Sequence, residues 1–167
     1  MPLRRPKEKG AVYAIEATEI IHRQDEKIKI ISYGDFQGNI PSFIEHHGKI
    51  DIINLIKLYR EADIYILPSL AEGFSLPGLE AMASGCIIIS AKNGGSEQYI
   101  NDGVNGFLVD ASNAEAIAKK ISELIKKDQE YLKTIITNAQ KSVLEYSYEK
   151  AAERFSNIIK EIDNSSK

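Results

Sequence analysis

The chain has 167 residues, enough for one domain with its own hydrophobic core. Hydrophobic residues make up 43% and charged residues 27%, and the net charge of −3 gives no general attraction to nucleic acid or acidic membranes. A single cysteine, Cys86, excludes a disulfide framework and fits a reducing, cytoplasmic compartment. No apolar run reaches transmembrane length, and the N-terminus lacks an apolar signal region.

Hydrophobic spacing predicts alternating helices and strands up to Asp110. The predicted elements are a helix over 11–23, strands over 28–33 and 43–48, a helix over 52–62, a strand over 64–67, a helix over 76–83, and strands over 86–90 and 106–109. This order is typical of an α/β fold with a doubly wound, mainly parallel, Rossmann-like sheet flanked by helices. The three isoleucines at 87–89 fit a strand buried on both faces.

Only helices are predicted after Asp110, over about 114–127, 129–145 and 148–162, followed by a tail over 164–167. The pattern indicates one domain over residues 1–163. The last helix carries an apolar face that either packs on this domain or meets a partner domain: Phe155, Ile158, Ile159 and Ile162. At the other end, the first ten residues are basic and leave room for a strand of two or three residues at most.

The most informative segment is Glu72-Gly-Phe-Ser-Leu-Pro-Gly-Leu-Glu80, which follows the apolar strand over 64–67. In an open α/β sheet, ligands bind at the carboxyl ends of the strands, and a helix N-terminus favours phosphate. We expect the Ser75 hydroxyl to cap the helix and Gly73 to let the backbone approach a ligand. The alternative is that Glu72 and Glu80 only complement the helix dipole.

Two further motifs leave their alternatives open. The glycine turn Asn93-Gly-Gly-Ser96 either lines the cleft or forms a tight connection without a ligand. His46 and His47 lack metal-ligand spacing, and no Asp-x-Asp pair occurs, so no metal is expected to hold a diphosphate. Cys86 is expected to lie in the core.

A series of short motifs in this order resembles the donor-binding, C-terminal domain of retaining GT-B glycosyltransferases of family 4 (glycosyl transferases group 1). The resemblance covers about residues 4–160 and rests on these motifs: Leu58-Tyr-Arg-Glu-Ala-Asp63, Leu67-Pro-Ser69, Glu72-Gly-Phe-Ser-Leu76, Leu79-Glu-Ala-Met-Ala-Ser-Gly85, Gly94-Gly-Ser-Glu97 and Gly103-Val-Asn-Gly-Phe-Leu-Val109. It implies one half of a GT-B fold and a hexose transfer from a nucleoside diphosphate sugar to a glycan or lipid-linked acceptor. The transfer would retain the anomeric configuration and need no metal or other cofactor.

The resemblance also implies roles for individual residues. Glu72 would lie at the donor sugar, and Glu80 would bind the ribose. The backbone of Gly73, Phe74, Ser75 and Leu76 would contact sugar and phosphate. Arg4 and Lys9 would hold the leaving diphosphate, although a disordered basic terminus is the alternative and Arg5 and Lys7 are equally available. Gly34 would lie where base and phosphate pass, and His47 and Gly48 would border the base.

Three departures from the family pattern bear on activity. The N-terminal acceptor domain is missing, the strand before Arg4 is missing or nearly so, and residues 34–43 are too few for the usual helix. Transfer therefore needs an acceptor held by another domain. The alternative is a non-catalytic remnant that binds nucleotide or a partner protein. An epimerase or phosphorylase of the same architecture is less favoured. A full enzyme would be cytoplasmic, with peripheral contact at the inner membrane face left open.

Overall fold

A computed structural model of the chain describes residues 1–4 and 7–165. Within them the elements are α1 (Ala11–Gln24), β1 (Ile30–Ser32), β2 (Ile44–His46), α2 (Ile52–Glu61), β3 (Ile64–Leu67), α3 (Leu76–Ala83), β4 (Ile87–Ala91), β5 (Phe107–Val109), α4 (Ala114–Ile125), α5 (Gln129–Val143) and α6 (Tyr148–Ser165). Short 3-10 turns precede α1, follow β4 and join α5 to α6. α6 continues to Ser165, residues 166–167 lie outside the described residues, and the tail over 164–167 stays a prediction.

All strand pairings in the described residues are parallel. β1 pairs with β2, and β3, β4 and β5 form a second sheet with β4 in the centre. All five residues of β4 are buried, as expected for a parallel strand covered on both faces. The structure therefore confirms the α/β fold with parallel sheets flanked by helices and followed by C-terminal helices.

A gap lies between β1 of the first sheet and β3 of the second. A cavity of about 400 Å³ lies there, lined by residues of both strands and by α1, α2 and α4. At one end Pro2 forms a parallel bridge with Tyr33, and the Leu3 amide donates to the Tyr33 carbonyl at 2.7 Å. The sequence predicted that the strand before Arg4 is missing or nearly so. In the described residues, this isolated bridge stands in place of a full strand, which confirms the prediction.

Capping side chains stabilise the starts of several helices, and apolar faces pack the helices on the sheets. Asp51, Asn113 and Asp128 each accept a hydrogen bond from a backbone amide of the first turn of α2, α4 and α5. α1 packs against α4 on one side of the sheets, and α3 packs against α5 on the other. Cys86 is fully buried, and its thiol donates to the Tyr59 carbonyl at 3.0 Å, which confirms its core position.

Two further predictions can be compared with the structure. No helix forms between Gly34 and Phe43, as the length of the segment predicts. In α6 the side chains of Phe155, Ile158 and Ile159 are 67%, 52% and 44% exposed, so they do not pack on this domain's own helices. The alternative that remains for this face is contact with another surface.

Candidate functional site

The candidate site lies where the chain leaves β3 and turns toward α3. The N-terminal turn of residues 7–10 packs against this loop, although it is distant in sequence. Gly10 has a φ of 66°, and a Cβ added there would lie 2.0 Å from the Pro68 carbonyl oxygen. The Leu70 amide donates to the Glu8 carbonyl at 2.7 Å. A glycine is therefore required at position 10 to bring the basic turn onto the end of β3.

This packing brings Lys9 to Glu72. The Lys9 Nζ donates to Glu72 Oε1 at 2.8 Å, and the two side chains are only 29% and 16% exposed. The alternative of a disordered basic terminus does not hold for Lys9, which has a fixed partner. Arg5 lies outside the described residues.

A cavity of about 190 Å³ opens beside this ion pair. Its wall combines the N-terminal segment, the end of β3 and the start of α3. The lining residues are Pro2, Arg4, Lys9, Leu67, Ser69, Glu72, Phe74, Ser75, Leu76 and Pro77. The structure thus brings together six of the predicted site residues. Two cations and a helix N-terminus at one cavity form a site that suits an anion.

The start of α3 differs from the predicted serine cap. Ser75 is the N-cap residue, but its hydroxyl makes no capping hydrogen bond. Pro77 at the second helical position has no N–H to offer, so only the amide of Gly78 at the third position could serve such a cap. The Gly78 amide instead donates to the Ser75 carbonyl at 3.1 Å. Gly73 is exposed, and a Cβ there would meet nothing within 4 Å, so no contact within the chain requires glycine at this position.

The turn Asn93-Gly-Gly-Ser96 packs against the loop that carries Glu72. The Glu72 amide donates to the Asn93 carbonyl at 2.9 Å, and a Cβ on Gly95 would lie 2.9 Å from the Glu72 Cβ. Glu97 Oε2 accepts from the amides of Asn93 and Gly94 at 3.0 and 2.9 Å. None of the residues 93–97 is among those that line the 190 Å³ cavity. The turn makes a tight connection behind Glu72, and whether it also lines a ligand cleft stays a prediction.

Glu80 is exposed on α3 and does not line this cavity. It lies near a buried cluster in which the Tyr33 hydroxyl is hydrogen-bonded to those of Tyr59 and Tyr65 at 2.9 and 3.0 Å. Burial raises the pKa of Tyr33; the positive charge of Arg4 acts to lower this pKa, and the negative charge of Glu80 acts to raise it. Arg4 and Glu80 are therefore both within electrostatic range of one hydroxyl group.

Gly34, His47 and Gly48 lie together at the ends of β1 and β2. The Gly34 amide donates to the Gly48 carbonyl at 2.7 Å. Gly34 has a φ of 127°, and a Cβ there would lie 2.0 Å from the Leu3 carbonyl oxygen. The His47 side chain points toward Glu45, with Nε2 2.9 Å from Oε1. These residues do not line the 190 Å³ cavity, and their predicted contact with the base stays a prediction.

Sequence reasoning missed an aromatic cluster beside the loop. The rings of Phe74, Tyr99 and Tyr146 contact one another, and Tyr99 donates to the Ser75 carbonyl at 3.3 Å. Periodicity predicts which tyrosines face a core, but it does not indicate that they meet across elements. The Gln98 Nε2 donates to the Gly73 carbonyl at 2.9 Å. No local sequence signal predicts this contact either.

The described part of the chain contains no group of three or more His, Cys, Asp or Glu side chains that could hold a metal ion. Independence from metal stays a prediction. In the same residues, no helix combines the length and hydropathy needed to cross a bilayer.

Solved structures show the class of this fold. The C-terminal domain of a glycosyl transferase group 1 family protein from Francisella tularensis matches with a TM-score of 0.78 and 29% identity, over 89% of this chain and 84% of that one. An Anabaena protein solved with UDP-glucose matches with a TM-score of 0.76 over 92% of this chain and 47% of its own, and at 23% identity it shows the fold alone. The architecture is that of one half of a GT-B glycosyltransferase.

The chain belongs to the family Glycosyl transferases group 1, whose model matches residues 2–142. An uncharacterized glycosyltransferase of Methanocaldococcus jannaschii is 31% identical over 164 residues, which is 92% of this chain and 42% of the relative. A putative colanic acid biosynthesis glycosyltransferase of Salmonella typhimurium is 27% identical over 90% of this chain and 41% of its own length. The chain therefore spans less than half the length of these relatives.

Proposed function

We propose that this chain is the donor-binding half of a retaining glycosyltransferase. The full enzyme would transfer a hexose from a nucleoside diphosphate sugar to a glycan or lipid-linked acceptor. Family membership supports the glycosyltransferase class, and the name of the Salmonella relative supports a glycan product. The UDP-glucose bound to the Anabaena protein, which has the same fold, supports the donor class.

The observation that carries the proposal is the ion pair at the mouth of the cavity. Arg4, Lys9 and Glu72 all line the cavity, and Glu72 Oε1 lies 2.8 Å from the Lys9 ammonium. A diphosphate beside Lys9 and Arg4 would place the attached sugar next to Glu72. Because Lys9 already stands on a folded turn, it needs little reorganisation as charge develops on the leaving group.

Each residue has a distinct role in the proposed reaction. The bond between the anomeric carbon and the phosphate oxygen breaks, and its electron pair goes to the diphosphate. The acceptor hydroxyl oxygen forms the new bond to the anomeric carbon, and its proton passes to the leaving diphosphate. Arg4 and Lys9 stabilise that charge without a metal. Glu72 binds the sugar near its reacting carbon, and Glu80 accepts hydrogen bonds from the ribose hydroxyls.

The acceptor is proposed to be held by a domain outside this chain. The relatives are more than twice as long as the matched region, which leaves room for one. The exposed apolar face of α6, with Phe155, Ile158 and Ile159, is where we expect that domain to make contact. Transfer by the chain without it is expected to be very slow, because no acceptor is positioned against the donor.

Calorimetric titration with UDP, GDP and ADP tests the proposal. We expect one nucleotide to bind the chain, and Glu80→Ala to abolish or strongly weaken that binding. Glu16→Ala, which removes an exposed acid on α1, is the matched control and should bind as the wild type does.

Failure of all three nucleotides to bind would refute the donor-binding proposal for this chain. It would favour the non-catalytic alternative, a remnant that binds a partner protein. Binding that is equally strong in Glu80→Ala would support a nucleotide site and contradict the role given to Glu80.

A further inference from the structure

The aromatic cluster beside the Glu72 loop connects that loop to the far end of the chain. Tyr146 stands in the short turn between α5 and α6, and its ring centroid lies 5.6 Å from that of Phe74 and 6.2 Å from that of Tyr99. Phe74 and Tyr99 are themselves 5.7 Å apart in an edge-to-face arrangement. Contacts of this kind stabilise beyond the apolar area that they bury.

A second route reaches the same place through hydrogen bonds. The Tyr146 hydroxyl donates to the Gln98 carbonyl at 2.8 Å. The Gln98 side chain then donates to the carbonyls of Gly73 at 2.9 Å and Gly94 at 3.3 Å. The ring of Tyr146 thus contacts residue 74, and its hydroxyl acts through Gln98 on residue 73.

Residues 73 and 74 have few other restraints. Gly73 has open space around it, and Phe74 is 39% exposed although it lines the cavity. They lie between Glu72, fixed by Lys9 and Asn93, and the start of α3. The conformation of this part of the loop therefore depends on the contacts made by Tyr146, Tyr99 and Gln98.

We infer that Tyr146 is a positioning residue that holds Gly73 and Phe74 in the conformation that shapes the sugar end of the cavity. Tyr146 acts through Phe74 and Gln98 and does not itself line the cavity. The turn that carries it is also where α6 contacts the domain, with Arg154 of α6 3.2 Å from Glu145. Movement of α6 would therefore change the restraint on the loop. The sugar part of this inference rests on the proposed function, whereas the loop restraint does not.

Hydrogen–deuterium exchange tests the loop restraint without any ligand. In Tyr146→Ala, which loses ring and hydroxyl, we expect the amides of residues 73–75 to exchange about tenfold faster, the combined effect of one aromatic contact and one hydrogen bond. Tyr146→Phe, which keeps the ring, should show a smaller increase. Tyr148→Ala is the matched control, because Tyr148 is 92% exposed two residues away, and it should leave these amides unchanged.

Unchanged exchange at residues 73–75 in Tyr146→Ala would overturn the inference. So would an equal acceleration in β4 and α4, because Tyr146 would then support global stability and not this loop.

Affinities for UDP and UDP-glucose give the second measurement. Tyr146→Ala should weaken UDP-glucose several-fold and leave UDP within about twofold, since the contacts of Tyr146 are with Phe74, Tyr99 and Gln98 and not with Arg4 or Lys9. Equal weakening of both ligands would contradict a role at the sugar end. If the wild type binds neither ligand, the proposed function fails, and the exchange experiment still decides whether Tyr146 restrains the loop.

Discussion

The two members of the Lys9–Glu72 ion pair should affect diphosphate binding in opposite directions. In the unliganded protein each neutralises the other across 2.8 Å. A nucleoside diphosphate brings negative charge to Lys9 and places it near the Glu72 carboxylate. Lys9→Met therefore removes an attraction, whereas Glu72→Gln removes a repulsion and leaves Lys9 available to the ligand.

The sizes of the two effects follow from their geometry. A hydrogen bond to a charged group contributes about 1.5–3 kcal/mol, so Lys9→Met should weaken UDP roughly tenfold or more. Two unit charges about 6 Å apart in water-like surroundings repel by about 0.7 kcal/mol, so Glu72→Gln should tighten UDP by about threefold. Both variants break the same partly buried pair, and each should lose about 1 kcal/mol of unfolding free energy.

Calorimetry at low and high ionic strength measures these changes. Both effects should shrink as salt rises, because screening weakens them. Lys92→Met and Asp110→Asn are matched controls, since they break an exposed ion pair of 3.0 Å with the same charge changes. Both controls lie outside the 190 Å³ cavity and should change UDP affinity by less than about twofold.

Equal weakening of UDP by Lys9→Met and Glu72→Gln would refute this reasoning. The ion pair would then serve only to hold the loop, and neither residue would meet the diphosphate or its sugar directly.

Three further predictions concern the frame around the site. Gly34→Ala should lower the unfolding free energy more than Gly48→Ala does, as measured by denaturant titration. Both glycines have a positive φ, which costs a residue with a Cβ about 1–2 kcal/mol. Only a Cβ on Gly34 would also collide with backbone, at 2.0 Å. Burial, followed by the charge of His47, lowers the pKa of His46. Stability should therefore fall as pH drops from about 6.5 toward the lower folded pKa, and His46→Gln should flatten that fall in melting curves. A valine-rich segment of about five residues added before Met1 should enter the 400 Å³ cavity, pair with β1 and β3 and raise Tm, whereas the same segment with alternate prolines should not.

Local sequence signals predicted the elements well where proline or glycine residues mark the ends of an element. The bounds of α3 and β3 agree with the predicted ones, because Pro68, Pro77 and Gly85 delimit them. The buried run over 87–89 likewise indicated a central parallel strand, and β4 is central. The serine cap was wrong at Ser75 because Pro77 has no amide to donate and the remaining candidate, the Gly78 amide, donates to the Ser75 carbonyl instead.

Hydrophobic periodicity could not predict the contacts between residues that are distant in sequence. The pairing of Lys9 with Glu72 joins positions 63 residues apart, and the sequence offers Lys7 and Arg5 as equivalent choices. Lys9 is selected because Gly10 lets the chain pack on Pro68 and fixes the turn just before it. The support of Glu72 by Asn93 and the contact of Tyr146 with Phe74 are likewise products of tertiary packing, which no local pattern encodes.

The position of Lys9 does not depend on the cavity between the two sheets. Lys9 is positioned by contacts with the β3–α3 loop, through Gly10 against Pro68 and Leu70 with Glu8. None of these contacts lies among the residues that line the 400 Å³ cavity. Residues added to that cavity should therefore raise the stability of the fold without changing UDP affinity. Parallel measurement of Tm and affinity on the extended chain separates the two properties, and a large gain in affinity would show that the sheet and the anion site are coupled after all.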